Sequence, residues 1–100
     1  MGLLERVRAA LPPAEEKRMF GGVAFMVDGA LACSVGPRGL LVRTGPERFA
    51  ELVARAGVES MVMKGRTSRG WVDVHASVLE DDAELRAWLD VGVAAARAAR

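Results

Sequence analysis

The sequence predicts an α+β fold: an antiparallel β-meander sheet with three helices (N-terminal, middle and long C-terminal) packed mainly on one face. Three observations carry this. Two apolar runs flank Asp28-Gly29, the residue pair a type I′ hairpin turn favours because both positions need positive φ. Short strand-like runs follow one another through tight turns, which makes neighbouring strands antiparallel. The apolar spacing switches to a helical period at the start, the middle and the end of the chain.

Leu3, Leu4, Val7 and Leu11 recur at helical spacing, so residues 2–11 read as a short amphipathic helix. Pro12-Pro13 ends it, since neither can donate a backbone hydrogen bond and each restricts its predecessor. Residues 14–16 read as linker. Residues 22–27 and 30–35 form the hairpin. A regular two-residue turn sets Val27 opposite Ala30, Phe25 opposite Ala32 and Val23 opposite Ser34 on one face, with Met26 opposite Leu31 and Ala24 opposite Cys33 on the other. The turn "GPRG" leads to a third strand over residues 40–43. Pairing Val35 with Leu40 and Cys33 with Val42 then collects Ala24, Met26, Leu31, Cys33, Val35, Leu40 and Val42 on one apolar face, assigned to the core. The other face, with Ser34 and Arg43 among Val23, Phe25, Val27 and Leu41, is expected to be half-covered.

Thr44-Gly45-Pro46-Glu47 has capping-box spacing ahead of a helix over residues 45–56, whose stripe is Phe49, Leu52, Val53 and Ala56, with Gly57 as its C′ residue. Residues 60–64 and 70–74 read as two short strands joined by the polar loop "GRTSR". The last helix starts near Asp81 or Asp82, where acidic residues suit the positive end of the helix dipole, and its apolar face is Leu85, Trp88, Leu89, Val93 and Ala96.

At 100 residues the chain is read as one domain, residues 1–100, and 51% hydrophobic residues suffice for a single core. A net charge of +1 gives no bulk preference for nucleic acid, so only local clustering could. Cys33 is the sole cysteine, which excludes an internal disulfide and a Cys-rich zinc site and fits a reducing compartment. The first residues carry Glu5, Arg6 and Arg8 and lack the unbroken apolar stretch of a signal peptide; no apolar run is long enough to span a bilayer. The expected location is cytoplasmic, with no membrane partner.

A Cys–His nucleophile would need Cys33 beside His75, but the register puts the thiol in the core. One Cys and one His are too few for structural zinc, and Glu80-Asp81-Asp82 suits a helix N-terminus. No catalytic, cofactor-binding or metal-ligating residues are assigned, and no cofactor is expected. The basic stretch is more informative. Lys64, Arg66 and Arg69, with Gly65, Gly70 and Trp71, could hold a phosphate or a base, and Lys17 and Arg18 would enlarge that patch if the fold brought them near. Before the hairpin stands "RMFGG", in which Phe20 and Met19 would anchor the chain while Gly21-Gly22 permit a bend or a close backbone approach. The candidate interaction surface is therefore Lys17, Arg18, Phe20, Gly21, Gly22, Lys64, Arg66, Arg69 and Trp71.

"RMFGG", followed by "GLLVRTGPERFAEL", "MVMKGRTSRGWVDV" and "LEDDAELRAWLDVGVAAARA", resembles the amino-terminal domain of the TfoX/Sxy family over nearly the whole chain. The resemblance implies a small α+β domain with a central antiparallel sheet, and a role like that of regulators of competence genes that work beside the cyclic-AMP receptor protein at promoters. It supplies no catalytic residues. The helical carboxy-terminal domain of those regulators is not part of this sequence, so the chain is expected to be a stand-alone amino-terminal domain. The leading expectation is a non-enzymatic regulatory module acting through a protein partner. Two alternatives stay open: nucleic-acid binding through the five cations named above, and a small-molecule pocket or unassigned enzyme near Phe20, Gly21 and Trp71. A sheet edge that pairs with a second copy is also expected.

Overall fold

Asp28 and Gly29 take φ of 52° and 84°, the doubly left-handed pair of a type I′ turn, and Lys64 and Gly65 repeat it at 54° and 77°. These two turns organise a computed structural model that describes residues 2–19 and 21–99. In chain order it runs α1 (Leu3–Ala10), β1 (Glu15–Met19), β2 (Gly22–Val27), β3 (Ala30–Gly36), β4 (Gly39–Arg43), α2 (Pro46–Val53), β5 (Val58–Met63), β6 (Arg66–His75), a 3₁₀ turn (Val78–Glu80) and α3 (Asp82–Ala98). The strands form one six-stranded antiparallel sheet in the order β1-β2-β3-β4-β6-β5. The α+β expectation holds.

The sheet departs from a regular meander in ways that decide which face is buried. Val27 opposes Ala30 and Met26 opposes Leu31 as expected, but a bulge between Phe25 and Met26 then shifts the register. Beyond it Phe25 opposes Cys33, Ala24 opposes Ser34 and Val23 opposes Val35. One extra residue on β3, Ala32, transfers the far half of β2 to the other face. Phe25 is thus buried to 1% exposure in the helix-side core with Cys33, Leu40, Val42, Val72 and Val74, and Val23 and Val35 pack against it. Ala24, Met26 and Leu31, expected in that layer, lie on the opposite face; Phe25, Val23 and Val27, expected on the half-covered face, are roofed by helices. The pairings of Cys33 with Val42 and Val35 with Leu40 are as expected.

Residues 15 and 16, expected to be linker, open strand β1. Its sequence, EEKRM, has no apolar alternation because an edge strand paired on one side leaves four of its five side chains exposed. The expected loop 65–69 shrinks to Lys64-Gly65, and residues 66–69 are strand. The capping box does not form. Gly45 is the N-cap of α2, no side chain caps the helix, and the buried Thr44 turns its hydroxyl to the carbonyl of Gly45. Helix α2 ends at Val53, and Ala56, expected in its stripe, is exposed in the turn that follows.

Helix α3 lies along β3 and β4 and buries Leu85, Trp88, Leu89, Val93 and Ala96, its expected face. Asp81 caps it through a 2.9 Å hydrogen bond accepted from the Ala83 amide. Gly92 sits where the helix meets the bulge. A Cβ there would stand 2.6 Å from the Ala32 carbonyl oxygen, so the helix approaches the sheet backbone as only glycine allows. Helix α1 packs on α3 through Val7. The Arg6 guanidinium stitches the two together, donating to the Leu79 carbonyl at 2.8 Å and the Asp82 carboxylate at 2.7 Å. Among the described residues no helix is long and apolar enough to cross a membrane.

Candidate functional site on the helix-free face of the sheet

The sheet order separates the expected basic residues. Lys17 and Arg18 lie on β1, opposite Ala24 and Val23, at one edge; Lys64, Arg66 and Arg69 lie at the tip and along the hairpin of β5 and β6, at the other. Five strand spacings of about 4.8 Å separate those edges, about 24 Å along the sheet. Lys17 also lies 4.0 Å from the Glu15 carboxylate. The two groups of cations therefore do not form one continuous patch. Trp71 opposes Arg43, whose guanidinium stacks 4.4 Å from the ring centroid and donates at 2.6 Å to the Leu31 carbonyl. Burial lowers the pKa of that arginine from its ordinary value. Gly21 is in the β1–β2 turn, remote in strand order from Trp71, so the two do not share a pocket. Phe20 lies outside the described residues.

The glycines of "RMFGG" have backbone reasons. Gly21 takes φ of 74°, and a Cβ on Gly22 would collide with the Val35 carbonyl of β3. The expected core position of Cys33 holds: it is 0% exposed, and desolvation pushes its thiol up to about 12, so it carries no thiolate at neutral pH. His75 is exposed, opposite Gly39 on the other face, with its Nδ1 3.3 Å from the Ser77 hydroxyl. Asp81 and Asp82 are engaged by the α3 cap and by Arg6.

The features that come together are others. Strand alternation sends Leu41 of β4 and Asp73 of β6 to the face without helices, where they oppose each other; Glu59 of β5 opposes Asp73 from the other side. A hollow of about 320 Å³ opens there, floored by Leu41, flanked by Glu59, Met61 and Asp73, with Arg38 and His75 at its rim. It is at the small end of ligand-sized pockets. Neither carboxylate makes a hydrogen bond or an ion pair within the described residues. The Asp73 carboxyl is pushed above its ordinary range, first by desolvation and further by Glu59, while Arg38 pulls it back. Val62, on the strand that walls the hollow, is the one large hydrophobic among the described residues that stands well exposed, at 62%.

Sequence reasoning missed this site because the opposition of Glu59 and Asp73 depends on an irregularity. Counting back from the Lys64-Gly65 turn pairs Met61 with Ser68 and would pair Glu59 with Gly70. A wide bulge after Ser60, which leaves Arg69, Gly70 and Trp71 of β6 without partners on β5, slides Glu59 onto Asp73 instead. The Gly70 carbonyl freed there accepts hydrogen bonds from the amides of Thr44 and Gly45, at 2.7 and 3.3 Å.

Comparison with known families returns a match between residues 6–96 and the family model described as the TfoX N-terminal domain. No curated protein and no solved structure matches the chain.

Proposed function

We propose that this chain, which belongs to the TfoX N-terminal domain family, is a regulatory module that carries out no chemistry of its own and docks a protein partner on the helix-free face of its sheet. The family is one of regulatory competence factors, generally not enzymatic. Within that family reading, the module co-regulates transcription from the cytoplasm by contacting another protein. The single observation that carries the docking site is the hollow over Leu41. Apolar floor, two carboxylates that make no hydrogen bond or ion pair among the described residues, and an exposed valine on its wall are the features of a recognition surface. The separation of the two basic groups favours this reading over a nucleic-acid track, which needs cations in one line. The core position of Cys33, on the opposite side of the sheet from His75, favours it over nucleophilic catalysis.

A photo-crosslinking residue placed at Val62 should trap a discrete partner in cells of the source, and the same residue at Ala87, exposed on the outer side of α3, should not. Leu41→Arg, which fills the floor of the hollow with a cation, should abolish the Val62 adduct. Equal trapping at both positions, or an adduct indifferent to Leu41→Arg, would refute the reading.

A further inference from the structure

The two edges of the sheet are built differently. At the β1 edge four consecutive residues, Glu15 to Arg18, are charged, the usual device against pairing with another strand. At the β5 edge, residues 60–63 carry no charge, and Val62 is exposed. Backbone parity shows what this edge offers. A two-residue turn closes on a hydrogen-bonded pair, so Met63 and Arg66 exchange bonds, Met61 and Ser68 do so again, and the N–H and C=O of Val62 point away from β6. From the other end, the Gly57 carbonyl accepts from the His75 amide at 2.8 Å, so Glu59 and Asp73 form the next bonded pair and Ser60 also points outward. Among the described residues, Ser60 and Val62 thus present unpaired donors and acceptors to solvent along the uncharged stretch 60–63 of this edge.

The same strand walls the hollow. Glu59 and Asp73 stand directly opposite each other across β5 and β6, and like charges so placed repel. The groups facing them are the two carboxylates themselves, the Arg38 guanidinium and the His75 imidazole, so two carboxylates share one guanidinium. A cation arriving on an apolar stem would relieve the carboxylate repulsion and cover Met61 and Leu41 with its methylenes.

We infer that the β5 edge and the hollow beside it form one strand-addition site, in which an extended segment of a partner protein pairs with Ser60 and Val62 and sets a lysine or arginine side chain between Glu59 and Asp73. This rests on the docking face proposed above and names the form its partner takes. Main-chain hydrogen bonds supply affinity, and the acidic hollow supplies specificity at one side-chain position.

The test is an NMR titration of the full chain with a blocked octapeptide of alternating threonine and valine bearing one central lysine, and with its glutamate counterpart. The lysine peptide should protect the amides of Ser60 and Val62 from exchange and bind about fivefold tighter than the glutamate peptide, the upper range for a partly exposed ion pair. The preference should vanish in Glu59→Gln/Asp73→Asn. The comparison of the two peptides on the unaltered chain stands even where that variant fails to fold. Equal binding of both peptides overturns the inference. Shifts at Ser34 and Leu41 without new protection at Ser60 and Val62 overturn strand addition while leaving face docking intact. No shift anywhere on the helix-free face overturns both. A dimer whose Ser60 and Val62 amides are already protected without peptide overturns it in favour of a second copy at this edge.

Discussion

Replacing Gly92 with alanine should destabilise the protein, although alanine is the better helix former. In an exposed helix the exchange gains about 1 kcal/mol. Here the added Cβ stands 2.6 Å from the Ala32 carbonyl oxygen, 3.3 Å from its carbon and 3.5 Å from a methyl of Val42. The first two are backbone atoms of the β3 bulge, so no flexible side chain can give way. Relief requires α3 to lift by several tenths of an ångström, which loosens Trp88, Leu89, Val93 and Ala96 together, all of them buried. Overpacking of this kind costs about 1–3 kcal/mol. At its upper end that outweighs the propensity gain, leaving a net loss of about 1–2 kcal/mol. For a chain of this size the loss lowers Tm by about 5–10 °C. Circular-dichroism melts and urea titrations of Gly92→Ala read it, with Ala87→Gly on the exposed side of the same helix as the propensity control. A higher Tm for Gly92→Ala would refute the claim that the helix rests on the bulge.

Two further outcomes follow from groups whose charged forms are disfavoured by desolvation. The Asp73 carboxyl is raised in the folded state, so its favourable contribution is present below the ordinary carboxyl pKa and is lost as pH rises through its folded value. Asp73→Asn should therefore raise the stability read from urea titrations at neutral pH, by well under 1 kcal/mol given its exposure to solvent, and the gain should disappear near pH 3; a destabilised variant at neutral pH would contradict the desolvation cost of the Asp73 carboxylate. Cys33, with its thiol pushed up to about 12 under the helices, should resist a disulfide reagent at pH 8 in the native state and react only at the rate of opening; labelling that outpaces opening would place the thiol elsewhere.

Where a residue's local chemistry decides its conformation, the sequence was legible. Asp28-Gly29 makes its turn because both positions demand positive φ, Asp81 caps α3, and the 3.6-residue spacing of Leu85, Trp88, Leu89, Val93 and Ala96 names the buried face. The burial of Cys33 was legible through its pairing with Val42, even though its expected partner on β2 was wrong. The family was legible from "RMFGG" and the segments after it. Strand β1 was not, because an edge strand with four charged residues carries no period for a reader to find. The candidate site was read least well. The cations that the sequence singles out fall at opposite edges, while no local pattern marks Glu59, Met61, Val62 and Asp73 as neighbours, because the register shift after Ser60 brings them together.

The sequence by itself determined the elements: three helices, the tight turns, the alternating strands and the glycines that bend the chain. Only the tertiary structure decided the two bulges, after Phe25 and after Ser60, and with them which faces are covered and which carboxylates meet. A bulge shifts register by whole residues at small local energetic difference, and what selects it is packing across the sheet: the close approach of Gly92 to Ala32 in one case, the capture of the Gly70 carbonyl by Thr44 and Gly45 in the other. Those contacts join residues about 25 to 60 positions apart in the chain, beyond the reach of any local period.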